Sequence, residues 1–140
     1  MRQILLFAAL AASLALLIGC GAAKDKPEAA KDMPDKAAYH KISAEEAYEM
    51  IASQEVVVVD VRTREEYDGG HIENAVLVPN ESIGREMPEA LPDKEATLLV
   101  YCRSGRRSKD AAQKLLALGY QSVYDFGGVI DWPYELVKEG

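Results

Sequence analysis

Apolar and polar positions change rhythm several times along the chain, and each rhythm predicts an element. Residues 56–61 (VVVVDV) are β-branched with no alternation, which predicts a strand buried on both faces, as in a parallel sheet. Residues 97–101 (TLLVY) have the same character. A short strand is expected over 75–78, closed by Pro79, and a further one over 122–126. Ala44, Ala47, Tyr48 and Ile51 recur at helical spacing behind Ser43, which forms a capping box with Glu46. Ala111, Ala112, Leu115, Leu116 and Leu118 give the apolar face of a second helix, stopped by Gly119. Shorter helices are expected over 64–67, before Gly69 and Gly70, over 82–90, and over 129–138. Strands alternating with helices imply an α/β fold with a mostly parallel sheet.

The start of the chain has a different rhythm. Residues 4–18 are apolar apart from Ser13, behind a single positive charge at Arg2. The run is short for a membrane span, which needs about 20 residues. It has the form of a signal-peptide core after a positive n-region. It ends in Leu17-Ile18-Gly19-Cys20, which resembles a bacterial lipobox. That resemblance implies cleavage before Cys20, a lipidated Cys20, and a protein anchored outside the cytoplasm by acyl chains such as palmitate. Residues 1–19 are then the leader. Residues 20–38 carry the lipid and a charged, proline-bearing tether that cannot bury enough surface to fold. The globular head is expected over 39–140.

Composition narrows the function. The chain has 140 residues, 49% of them apolar, which favours one domain and excludes a wholly disordered chain. Its formal net charge of −7 argues against a nucleic-acid partner, which needs a basic face. Tyr39, Tyr101, Tyr120 and Tyr124 are therefore read as core or rim. Two cysteines are too few for a disulfide framework or a four-cysteine zinc site. His40 and His71 lack a ligand pattern around them, so no metal is expected.

The chemistry is concentrated after the strand at 97–101. Cys102 follows it directly, and Arg103, Ser104, Gly105, Arg106, Arg107 and Ser108 lead into the next helix. A strand-to-helix turn in a parallel sheet opens at the carboxyl edge, where ligands bind. Backbone N–H groups there can face one point and hold an anion. The helix start and three arginines are expected to lower the Cys102 pKa and favour thiolate. A thiolate in an anion-binding cradle is a nucleophile for anionic substrates, with Ser104 and Ser108 as added hydroxyl donors. The plain alternative, an inert buried cysteine, sits poorly beside three arginines and a glycine.

Cys102-Arg103-Ser104-Gly105-Arg106-Arg107 resembles the active-site loop of single-domain rhodaneses, with its Cys-x-x-Gly-x-Arg pattern. Asp60-Val61-Arg62, with Glu66, Tyr67 and Gly70-His71-Ile72 behind it, is similar to the first signature of that family. Asn74 through Pro79 is similar to the strand that follows it, and Gly127-Gly128 with Asp131-Trp132 to the C-terminal signature. The resemblance spans about residues 40–138. It implies a five-stranded parallel sheet with helices on both faces, and no cofactor. It also implies a mechanism in which Cys102 takes the outer sulfur of a donor such as thiosulfate and passes it to a thiophilic acceptor. Arg107 matches the loop arginine of the family and is expected to point inward. Asp60 and Arg62 are read as an ion pair or loop cap near Cys102, with a substrate role open. His71 is read as a hydrogen-bonded core histidine. Trp132 is read as packing the last helix or lining the pocket.

Other functions compete. Cysteine phosphatases place five residues between Cys and Arg, whereas four separate Cys102 from Arg107 here. The tighter bowl suits a sulfur atom better than a tetrahedral phosphate or arsenate. A persulfide carrier serving a partner protein would use the same Cys102, whereas a non-catalytic binding module, as in rhodanese-like domains that have lost the cysteine, sits poorly with its presence. A self-contained redox switch would need a second cysteine in the head, and there is none.

Overall fold

A computed structural model describes residues 37–139. The expected leader, the lipidation site at Cys20 and the tether up to residue 36 lie outside the described residues. The strands are β1 (Ala38–Lys41), β2 (Val57–Asp60), β3 (Val76–Leu77), β4 (Thr97–Cys102) and β5 (Ser122–Gly128). They form one sheet in the order β1-β5-β4-β2-β3, with every pairing parallel. The helices are α1 (Ala44–Ser53), α2 (Arg64–Asp68) and α3 (Arg106–Ala117).

The non-alternating strands mean that both faces of the sheet are covered. Alternate residues of β4 then serve opposite cores. Leu98, Val100 and Cys102 join Ala111, Ala112 and Leu115 of α3 on one face. Leu99 and Tyr101 join Ala47 of α1 and Tyr67 of α2 on the other. The larger of these, such as Leu98, Leu99, Val100 and Leu115, contribute about 1.5–3 kcal/mol each through burial. The expected α/β fold with a five-stranded parallel sheet and helices on both faces is therefore what forms.

The expected capping box closes at α1, and a second one caps α2. Glu46 N donates to Ser43 Oγ and Ser43 N to Glu46 Oε2, while Thr63 and Glu66 do the same for α2. Two expected helices are absent. The 3-10 turn Asn80–Ser82 ends where the helix over 82–90 is expected to begin, and residues 83–90 are irregular, because Gly84 and Pro88 interrupt the segment. Over 129–138 it makes only the 3-10 turn Val129–Asp131. Pro133 blocks further helix, and the chain returns as an extended piece whose Val137 bridges His71. Strand β1, which no apolar run announces, is held by its pairing with β5, with Tyr39 opposite Val123.

Candidate active site

Cys102 is the last residue of β4, at the carboxyl edge of the sheet, and is only 1% exposed. Strand alternation turns its side chain to the α3 side. Gly105 then takes φ +102°, a backbone conformation that a side chain would strain, and starts α3 immediately. The Gly105 amide donates to Cys102 Sγ at 3.0 Å. Burial alone would push the Cys102 thiol up. The amides of Ser108, Gly105 and Ser104 outweigh it and hold the thiol below its ordinary value. The sulfur anion is thus stabilised mainly by the backbone. Sequence reasoning gave that role jointly to the helix start and the arginine charges.

The loop is sealed from behind by β5. Between Val100 opposite Asp125 and Cys102 opposite Gly128, the register shifts and β5 bulges. The bulge brings Gly128 so close to Arg103 that a Cβ there would collide with the Arg103 carbonyl. That carbonyl accepts from Ile130 N at 3.2 Å.

The three arginines take different roles. Arg107 makes two hydrogen bonds to Glu66, each 2.8 Å, from Nη1 to Oε2 and from Nη2 to Oε1. This pair ties α3 to α2 across the mouth. The Arg107 guanidinium pushes the Glu66 carboxyl down to about 2. Arg103 and Arg106 are exposed and form no salt bridge among the described residues. They are the uncompensated positive charges nearest the cysteine in the chain. Ser104 is exposed, whereas Ser108 is fully buried.

Asp60 and Arg62 form a buried ion pair, with Arg62 Nη2 2.6 Å from Asp60 Oδ2. Asp60 Oδ2 also accepts from Tyr101 OH at 2.7 Å, and Arg62 Nη2 donates to Gly70 O at 2.8 Å. Asp60 and Tyr101 project to the sheet face opposite Cys102, so this network joins the ends of β2 and β4. Arg62 also lines a cleft of about 380 Å³ beside Arg103 and Ile130. His71 is buried, stacks on Tyr67 at 3.6 Å and places Nδ1 2.9 Å from Tyr67 O. Trp132 packs against Phe126 and Tyr134.

A family model described as the rhodanese-like domain matches residues 43–133, which contain Asp60, Arg62, Glu66 and the whole loop from Cys102 to Ser108. The chain belongs to the rhodanese-like family. Among solved structures, this rhodanese-like domain is similar to a rhodanese-related protein from Thermoplasma volcanium. The two share 32% identity and a TM-score of 0.63, over 72% of this chain and 100% of that one. A human single-domain sulfurtransferase shares 27% identity and a TM-score of 0.59, over 66% of this chain and 89% of that one. A curated relative, the tRNA uridine(34) hydroxylase of Yersinia pestis, is 32% identical over 106 residues, or 72% of this chain. The chain spans 30% of that relative's length.

Two participants escaped the sequence reading. Glu66 was visible only as a signature residue, and nothing local says that it grips Arg107 across the fold. Asp125 is 1% exposed under the loop. The available signal was an acid inside a buried strand, the same feature that marks Asp60.

Proposed function

We propose that this rhodanese-like domain is a sulfurtransferase working through a persulfide on Cys102. The donor is a small anionic sulfane such as thiosulfate. The Cys102 thiolate attacks its outer sulfur, the sulfur–sulfur bond breaks, and sulfite leaves with the electron pair. The outer sulfur of the new persulfide carries the negative charge. A thiophilic acceptor, such as cyanide or a thiol, then attacks that sulfur and releases the Cys102 thiolate.

The observation that carries this reading is the Gly105 amide 3.0 Å from a buried Cys102 Sγ, in a loop whose neighbouring amides favour the thiolate. Donors fixed before reaction stabilise both the attacking thiolate and the persulfide without reorganisation. Exposed Arg103 and Arg106 favour the approach of an anion. The short Cys102–Arg107 spacing supports sulfur over phosphate chemistry, and the likeness to a human single-domain sulfurtransferase runs the same way. We place the domain outside the cytoplasm on a lipid anchor at Cys20, on the strength of the lipobox-like sequence.

Steady-state transfer from thiosulfate to cyanide tests the reading. The wild-type chain is expected to turn over and Cys102→Ser to lose at least about a thousandfold, as removal of a nucleophile does. A serine variant as active as the wild type would overturn it. Persulfide formation without turnover would make the domain a carrier whose acceptor is a partner protein.

A further inference from the structure

Asp125 lies where β5 leaves its regular register, and the sulfur chemistry above makes no use of it. Four groups converge on its buried carboxylate. Oδ1 accepts from Ser108 Oγ at 2.7 Å and from Gly127 N at 2.9 Å. Oδ2 accepts from Tyr39 OH at 2.6 Å, and Lys41 Nζ stands 3.5 Å from Oδ1. The carboxylate is fully satisfied where it lies, so it can hold its neighbours in place.

Two of those neighbours shape the sulfur cradle. Ser108 is in the first turn of α3, and its amide favours the Cys102 thiolate. Gly127 is in the bulge and lies beside the loop, since a Cβ on Gly105 would stand in ordinary contact with Gly127 Cα at 3.5 Å. Ser108 Oγ also lies 3.1 Å from Gly105 O and 3.2 Å from Gly127 O. A hydroxyl has one proton, and the carboxylate is the strongest of the three acceptors. The Ser108 rotor is therefore fixed on Asp125, and the first turn of α3 is fixed with it.

We propose that Asp125 is the positioning residue of the sulfur cradle. It acts through Ser108 and Gly127, locking the bulge of β5 to the start of α3 so that the Gly105 and Ser108 amides meet the Cys102 sulfur. Tyr39 and Lys41 anchor its other side to the edge strand. This assignment rests on the reading of Cys102 as the sulfur-carrying nucleophile.

The pH dependence of Cys102 alkylation by iodoacetamide tests it without any sulfur donor. Deleting a nearby negative charge would by itself lower the thiol pKa. Loss of the amide geometry would raise it. Asp125→Ala is expected to raise the alkylation midpoint by about one pH unit, a tenfold loss of thiolate at pH values well below the wild-type midpoint. In sulfur transfer the same variant is expected to lose about tenfold in kcat, with KM for thiosulfate little changed. Asp125→Asn, whose amide oxygen can still accept from Ser108 and Gly127, is expected to recover most of both. In Ser108→Ala/Asp125→Ala the two effects are expected to overlap rather than add, because one acts through the other. Asp125→Ser carries the expectation of the alanine variant and replaces it if that variant fails to fold. A folded Asp125→Ala or Asp125→Ser chain with the wild-type midpoint, or additive effects in the double variant, would overturn the assignment. A midpoint that shifts in Asp125→Ala, beside a wild type that never transfers sulfur, would sink the proposed function and leave the positioning role standing.

Discussion

Arg107 and Glu66 show how one pair of side chains couples the loop to the fold. Their contact is doubly hydrogen-bonded and about a quarter exposed on each side. Arg107→Ala is expected to lower kcat/KM for thiosulfate by tenfold or more, about 1.4 kcal/mol, because the mouth loses its tie to α2. Arg103→Ala removes an exposed charge and is expected to cost less, mostly in KM. Equal effects in steady-state kinetics would contradict this division of roles. Glu66 has a carboxyl pushed down to about 2, from an ordinary value near 4.5. The unfolded chain therefore binds the proton more tightly than the folded one. The stability from this pair is complete above about pH 4.5 and is lost as pH falls toward 2. Thermal unfolding of wild type and Glu66→Gln between pH 2 and 7 is expected to show a gap that closes on acidification. A gap independent of pH would refute it. The loop residues were legible in the sequence because they are contiguous. The Glu66 contact was not, because the partners lie 41 positions apart and only the fold brings them together.

Elements place these residues through turns that tolerate little. Gly128 occupies the bulge of β5, directly against the Arg103 carbonyl. Gly128→Ala must displace backbone on one side or the other, since the obstructing atom is a carbonyl rather than a flexible side-chain tip. It is expected to lower stability by about 1–3 kcal/mol, within the range for overpacking, and to disturb sulfur transfer. Urea unfolding and activity measure the two effects, and an alanine variant normal in both would show that the contact is soft. The long elements were readable because their apolar periods are strong, as in 97–101 and in the face from Ala111 to Leu118. The segments at 82–90 and 129–138 misled, because helix-compatible residues there are overruled by Gly84, Pro88 and Pro133. The bulge was invisible, since nothing in Gly127-Gly128 states which partner residue it faces.

At the scale of the whole molecule, two cores on opposite faces of one parallel sheet hold a single reactive edge. Uninterrupted β-branched runs made that architecture legible, and the order of the signatures made the family legible. What joins the layers is less visible. Asp60 with Arg62, and Asp125 with Ser108, are buried polar links whose partners follow from strand order and register. The lipid anchor proposed at Cys20 makes its own prediction: Cys20→Ser should abolish lipid labelling and release the chain from the membrane fraction. Unchanged membrane association would contradict the anchor. For the chemistry, intact mass after thiosulfate alone, with no acceptor present, is the most direct measurement. Wild type is expected to gain one sulfur, about 32 Da, located on Cys102, and Cys102→Ser none. No gain in the wild type, or the same gain in the serine variant, would contradict a persulfide carried by Cys102.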